Sequence, residues 1–188
     1  MSAKSISLSN DDYIILMKAG PYCGYGLEEI VQIKEREERK CAKFYWGYGG
    51  VLCHPKRVTR FAELAYNEGK RLLLLFTLTP SNFNSPIGRA FHYSTDNSRW
   101  RQLPKDVLLV GNKYAVVAKG LYKTEFQLDL CKYRSVLGDV KGKRLDQYLK
   151  YRTDKACAVY ESGEDQSNRQ IKVSYISELV PPYCIYVK

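Results

Sequence analysis

Several features that mark familiar kinds of metal and disulfide site are missing from this chain of 188 residues. It has only two histidines, and none of its six cysteines stands in C-x-x-C spacing with another. Zinc sites normally draw on paired local ligands, so we expect no metal. Widely separated cysteines are typical of reduced thiols and not of a disulfide scaffold.

Long apolar segments are missing as well. The longest run, Leu72 to Leu78, is far shorter than the roughly 20 residues that cross a bilayer. The first residues, MSAKSISLSNDDY, are polar and lack the apolar centre of a secretion signal. We therefore expect a cytoplasmic protein without a membrane partner.

The named glycine-rich phosphate motifs do not occur either. No segment matches G-x-x-x-x-G-K-[ST], or G-x-G-x-x-G after a strand. The carboxylates at Asp96, Glu125, Asp129 and Asp139 show no spacing typical of a metal-dependent nuclease. The sequence therefore predicts no cofactor and assigns no catalytic residue.

Positive charge and tyrosine are what the chain has in excess. Its net charge is +10, and it has 16 tyrosines against 6 phenylalanines and 2 tryptophans. A positive surface favours anionic partners, and tyrosine is common where a ring packs while its hydroxyl meets a polar group. These features indicate nucleic acid or a nucleotide first, and an acidic protein or a ribonucleoprotein second.

Hydrophobic patterns predict the fold class. Short apolar or alternating runs predict many strands, the first over Tyr13 to Lys18. Gly120 predicts a turn between strands, and Pro181-Pro182 predicts a break between strands over Gln170 to Ile176 and Tyr183 to Val187. For Leu27 to Lys43, where strand-like alternation meets helical charge pairs, we expect a strand that runs into a charged turn or helix. His54-Pro55 opens the clearest helix, which Gly69 ends, and Lys143 to Arg152 predicts a second. Two hairpins are expected, one over Thr95 to Ser98 and one over Gly111-Asn112. We predict an α+β fold with a mostly antiparallel or barrel-like sheet and two short helices. One domain over 1–188 is expected, with a carboxy-terminal annex from about 156 as the alternative.

The segment from Phe44 to Phe61 carries the main candidate site. Aromatic residues and glycines precede the start of the Pro55 helix, where backbone N–H groups and the helix dipole favour an anion. Exposed rings there would stack on bases. The alternative is a tight turn whose aromatic residues belong to the core. The candidate residues are Tyr45, Trp46, Gly47, Tyr48, Gly49 and Gly50.

Two sets of basic residues extend this candidate site. One set, on the Pro55 helix, is Lys56, Arg57 and Arg60. The other belongs to the segment from Lys132 to Lys155, which contains eight basic residues and only three aspartates, with tyrosines interleaved. Such a cluster is typical of a phosphate-backbone groove, although an ordinary solvated surface is the alternative. Its candidate residues are Lys132, Arg134, Lys141, Lys143, Arg144, Lys150 and Arg152.

Three residues are candidates if the protein is an enzyme. Cys53-His54 is the only neighbouring thiol and imidazole, and His92 lies close in sequence to Asp96. Glu125 would orient an acceptor in an NAD- or nucleotide-processing enzyme. For both histidines a structural role is the competing interpretation.

The sequence thus predicts a nucleic-acid- or nucleotide-binding accessory domain that does not catalyse a reaction. Two alternatives stay open. One is a small interaction module or inhibitor, of the kind that phages and mobile elements encode, which docks on an acidic protein or ribonucleoprotein. The other is an enzyme that processes NAD or another nucleotide.

Overall fold

The computed structural model describes residues 6–50, 53–149, 155–162 and 169–188. Within these ranges it contains three α-helices and nine strands. The helices are α1 (Leu27–Cys41), α2 (Pro55–Asn67) and α3 (Leu145–Tyr148). The strands are β1 (Tyr13–Ala19), β2 (Phe44–Tyr48), β3 (Leu72–Leu78), β4 (His92–Ser94), β5 (Arg101–Gln102), β6 (Tyr114–Asp129), β7 (Tyr133–Ser135), β8 (Lys155–Tyr160) and β9 (Gln170–Val187).

The strands form one mixed sheet that is not closed. Its order is β2-β6-β9-β3-β1-β8-β7, and the β4–β5 hairpin joins it through β9. Only β1 and β3 pair in parallel; the other described pairs are antiparallel. The predicted α+β class with a mostly antiparallel sheet is confirmed, and the barrel-like version is not, because the sheet stays open.

The parallel pair lies at the centre because its strands are apolar on both faces. Leu72 to Phe76 of β3 are buried, between β1 on one side and β9 on the other. Alternate residues enter different clusters: Leu74 and Phe76 pack with Trp46, whereas Leu73 and Leu75 pack with Leu130 on the opposite face. Both faces of the centre of the sheet are therefore covered.

Helix α2 begins and ends as predicted. Pro55 occupies its first turn, and Val58, Phe61, Ala62 and Ala65 form its buried face. Gly69 follows its end with φ of +65°, a conformation that glycine adopts at low cost. Within the predicted helix over 143–152, the structure has the short helix α3, from Leu145 to Tyr148. Residues 150–152 lie outside the described ranges.

The expected strand at the start of Leu27 to Lys43 is wrong. This segment is α1, which runs from Leu27 to Cys41. Glu28 and Glu29 in its first turn and Arg39 and Lys40 in its last turn complement the helix dipole. Alternation of Val31 and Ile33 indicated a strand, whereas the charge pairs spaced four residues apart indicated a helix, which the acidic and basic ends also favour.

The hairpin predicted over Gly111-Asn112 is also wrong. Residues 107–110 form no strand, because Val107 and Leu109 pack into a core cluster with Tyr45 while the Leu108 N–H donates to Glu37. Strand β6 then runs through Gly120, whose φ of +66° is absorbed as a bulge instead of a turn. Likewise the strands predicted over Gln170 to Ile176 and over Tyr183 to Val187 are one strand, β9, with a register shift opposite Val116 and Ala118.

Candidate functional site

The principal cavity lies at the carboxyl ends of the two parallel strands. It has a volume of about 580 Å³, within the range of roughly 300–1,000 Å³ that is typical of small-molecule sites. Its lining includes Ala19 and Gly20 at the end of β1, Thr79 after β3, and Gly47 to Gly50 at the end of β2. In open sheets with parallel strands, ligands bind beyond the carboxyl ends of those strands.

The loop after β1 is held tightly against its neighbours. A Cβ at Gly20 would lie 2.5 Å from the Thr79 carbonyl oxygen, so this close approach of two backbones requires glycine. Further along, the backbones of Tyr22 and Tyr25 exchange two hydrogen bonds of 3.0 Å. The Tyr22 hydroxyl also donates to the Gly111 carbonyl at 2.8 Å. One wall of the cavity is therefore built from sequence-distant segments joined by specific contacts.

A buried ion pair fixes a second wall. Lys34 of α1 donates to Glu37 at 2.7 Å, and both side chains are almost wholly buried. Glu37 also accepts from the N–H groups of Tyr45 and Leu108, each at 3.0 Å, while Lys34 donates to the Leu108 carbonyl at 2.9 Å. Burial lowers the pKa of Lys34, and the Glu37 carboxylate opposes that shift. The pair therefore joins α1, β2 and the 107–109 segment around the cavity.

The free edge of β2 turns backbone groups toward this wall. The Tyr45 N–H points away from β6, because it donates to Glu37 of α1. N–H directions alternate along a strand, so the Gly47 N–H points to the same free edge. The carboxamide of Asn112 occupies the place where a side chain at Gly47 would lie. Glycine at this position thus leaves room for a polar side chain beside an exposed backbone donor.

The charged residues that line the cavity are all lysines. They are Lys18, Lys34, Lys113 and Lys155, and none of the described lining residues is an aspartate or glutamate. Lys18 and Lys113 are exposed, and neither forms an ion pair within the described part of the chain. Low-dielectric walls concentrate the field of such charges. The cavity is therefore suited to an anion.

Aromatic side chains supply much of the remaining surface. Trp46 is 7 % exposed and packs against Phe76 with ring centroids 4.3 Å apart. The Tyr48 hydroxyl donates to the Cys53 carbonyl and lies 3.0 Å from the Cys184 sulfur. Burial raises the pKa of Tyr48 far above its usual range, so this hydroxyl stays neutral. Tyr22, Tyr25 and the exposed Phe83 complete the aromatic lining.

The candidate residues from Tyr45 to Gly50 separate into two groups. Trp46, Gly47, Tyr48, Gly49 and Gly50 line the cavity. Tyr45 does not, because alternation along β2 directs its ring into the cluster with Val117 and Ile185. Burial raises the pKa of Tyr45 to about 12. The rings of Trp46 and Tyr48 are mostly core, with a small face toward the cavity.

The basic residues of α2 lie elsewhere on the surface. Lys56, Arg57 and Arg60 are exposed, and none of them lines the cavity. The Arg57 guanidinium lies against Gly138, at 3.1 Å from the position of a Cβ there. Arg57 therefore borders the 138–140 turn, away from the end of β2.

The basic segment from Lys132 to Lys155 is dispersed. Arg134 pairs with Glu161 at 2.7 Å, and Arg144 pairs with Asp146 at 3.0 Å. Lys132 lines a separate cavity near Ile6 and Leu8, and Lys141 and Lys143 are exposed. Lys150 and Arg152 lie outside the described residues. Among the described basic residues of this segment, Lys155 alone lines the principal cavity.

None of the residues considered for an enzyme lines the principal cavity. His54 makes no side-chain cap hydrogen bond at the start of α2 and lies edge-on between the rings of Tyr114 and Tyr186; burial lowers its pKa. His92 is exposed on β4, while the Asp96 carboxylate accepts from Arg99 and from turn N–H groups. Glu125 is exposed and pairs with Lys172 at 2.6 Å.

Sequence reasoning missed Lys18, Asn112 and Lys113. Lys18 is one polar residue at the end of an apolar strand, and the other two follow a glycine that was assigned to a hairpin turn. The parallel pairing of β1 and β3 places the loops after Ala19 and Leu78 at one end of the sheet, and a sequence prediction of that pairing would have indicated the cavity. Neither segment taken alone predicts the pairing.

The fold and the cavity define an α+β domain with a lysine-bearing, aromatic cavity at one end of its parallel strands. Comparison with protein families, with curated proteins and with solved structures found no match to this chain. Among the described residues, no group of three or more His, Cys, Asp or Glu side chains is placed to hold a metal ion. No helix within the described ranges is long and apolar enough to cross a membrane.

Proposed function

We propose that the protein binds a small nucleotide-like anion in the cavity at the carboxyl ends of β1 and β3. The observation that carries the proposal is the lining itself. Four lysines, aromatic rings and the glycine-bearing edge of β2 surround one space of about 580 Å³, and two of these lysines, Lys18 and Lys113, form no ion pair with a described residue. A nucleotide has a charged part and a flat apolar part that match these two kinds of surface.

The phosphate would lie among Lys18, Lys113 and Lys155, with backbone N–H groups of the Gly47–Gly50 segment as further donors. Lysine binds phosphate as a point charge, and charge-assisted hydrogen bonds are the strongest in proteins. The base would lie against Tyr22, Tyr25 and the accessible face of Trp46, since bases stack on aromatic rings.

Two arrangements favour a small ligand over a nucleic-acid strand. Arg134 and Arg144 are engaged by carboxylates, and the described cations of α2 and of 132–144 do not line the cavity. A strand needs a continuous row of cations along its backbone. The cavity instead has lysines from separate parts of the chain in its lining.

Isothermal titration with nucleoside monophosphates at about 50 and 200 mM salt tests the proposal, because phosphate contacts weaken with salt. Wild-type protein should bind, and the double variant Lys18→Ala/Lys113→Ala should bind at least about tenfold more weakly, since each hydrogen bond to a charged group is worth roughly 1.5–3 kcal/mol. The matched control is Lys141→Ala/Lys143→Ala. It removes the same charge from exposed positions outside the cavity and should bind within twofold of wild type.

Two results would contradict the proposal. In the first, no nucleotide binds at the lower salt. In the second, the control variant loses as much affinity as the cavity variant. If a short single-stranded oligonucleotide binds through Lys141 and Lys143, the anion site lies in the basic segment and not in the cavity.

A further inference from the structure

A carboxamide that lines the cavity has no partner among the described residues. Asn112 is 6 % exposed and lines the cavity, and its side chain forms no hydrogen bond with any residue that the structure describes. Among the described side chains, the Ser177 hydroxyl is the one polar group that is shut off from solvent without a partner, so the amide atoms of Asn112 stay open to the cavity. Their two donors and one acceptor are therefore available to a ligand.

The backbone holds this carboxamide in place. Gly111 has φ of +79°, and a side chain there would meet the Cys23 sulfur and the Tyr22 ring. The Gly111 carbonyl accepts from the Tyr22 hydroxyl, and the Lys113 N–H donates to the Tyr48 carbonyl at 3.2 Å. Because both neighbours of Asn112 are anchored, its side chain is confined beside Gly47.

We infer that Asn112 recognises the base of the bound ligand through the hydrogen-bonding edge of that base. This inference rests on the proposed function. A carboxamide presents two N–H donors and a carbonyl acceptor in one plane, and a nucleobase edge presents the complementary donors and acceptors side by side. Paired hydrogen bonds of this kind are how asparagine reads adenine in nucleic acids. The phosphate would then supply affinity and Asn112 would supply specificity.

The test compares AMP, GMP, CMP, UMP and ribose 5-phosphate by isothermal titration. Wild type should bind one nucleotide at least about fivefold more tightly than the others. Asn112→Leu, which keeps the approximate shape but removes the hydrogen bonds, should weaken the affinity for that nucleotide by about 5- to 150-fold. Its affinity for ribose 5-phosphate, which has no base, should stay within twofold of wild type. The variant Asn67→Leu is the matched control, because Asn67 is an exposed carboxamide at the end of α2 that does not line the cavity, and it should leave affinity for the preferred nucleotide within twofold of wild type.

A wild-type measurement guards against a variant that does not fold. Analogues of the preferred nucleotide that lack one hydrogen-bonding group on the base edge should lose affinity by a similar factor. Equal affinity for all four nucleotides, or an unchanged preference in Asn112→Leu, would overturn base recognition and leave the anion site standing. If neither the nucleotides nor ribose 5-phosphate bind, the proposed function and this inference fail together.

Discussion

The cavity and the basic segment contain similar residues and use them differently. In the segment from Lys132 to Lys155, cations and tyrosines are neighbours in sequence, but Arg134 and Arg144 end in local ion pairs. In the cavity, Lys18, Lys113 and Lys155 come from separate parts of the chain and line the same space. Density of charge along a sequence is therefore a poor guide to where an anion binds. What matters is which cations the fold leaves without an ion pair beside a cavity, and Lys18 and Lys113 form none with a described residue.

The two regions also differ in the ion pairs that support them. The Lys34–Glu37 pair is buried, and its Glu37 carboxylate also accepts hydrogen bonds from two backbone N–H groups. Arg134–Glu161 lies at the surface, where the side chains are 25 % and 56 % exposed. Breaking a buried pair leaves a charge without compensation, whereas water replaces an exposed partner. The wall of the cavity should therefore depend on its pair far more than the basic segment does.

The largest expected effect is the loss of this buried pair. Glu37→Ala should lower the free energy of unfolding by about 3–5 kcal/mol, because Lys34 would be left buried and unpaired. Glu161→Ala should lower it by only about 0.2–1 kcal/mol. Urea denaturation of both variants beside wild type measures the difference. Equal losses would mean that the two pairs are not energetically distinct.

A smaller effect should appear at alkaline pH. Burial raises the pKa of the Cys184 thiol, which lies beneath the cavity beside Tyr48, to about 12, whereas an unperturbed thiol ionises near 9.0. Between these values the unfolded chain releases a proton that the folded protein keeps. The free energy of unfolding should therefore fall as pH rises from 9 toward 12, by up to about 1.4 kcal/mol per pH unit from this group.

The variant Cys184→Ala isolates that contribution. It lacks the titrating thiol, so its stability should fall less steeply over the same pH range. Denaturation midpoints of both proteins in steps from pH 8 to pH 10.5 would show the two profiles approaching each other. Parallel profiles would show that Cys184 does not hold its proton in the folded state.

The elements that sequence patterns predicted are those decided locally. The apolar runs of β1 and β3, the proline start of α2 and the turn of the β4–β5 hairpin each carry their own signal. Gly120 and the Pro181-Pro182 pair predicted chain breaks. The long strands β6 and β9 absorb them, because neighbouring strands supply pairing on both sides of each irregularity.

The site was predictable only in part, because most of its residues are brought together by contacts between distant segments. The glycines at 47, 49 and 50 predicted an unusual backbone segment, and they line the cavity. The lysines at 18 and 113 and the carboxamide at 112 have no local pattern. Their meeting depends on the parallel pairing of β1 with β3 and on contacts such as Tyr22 with Gly111. Such contacts join positions far apart in sequence.

The most direct test of where the anion binds is a titration of ¹⁵N-labelled protein with AMP, followed by amide resonances. The account predicts that shifts concentrate at Gly20, Gly47, Gly49 and Gly111, while the amides of Lys141 and Lys143 stay unchanged. Shifts concentrated between 132 and 144, with the cavity glycines unmoved, would contradict it.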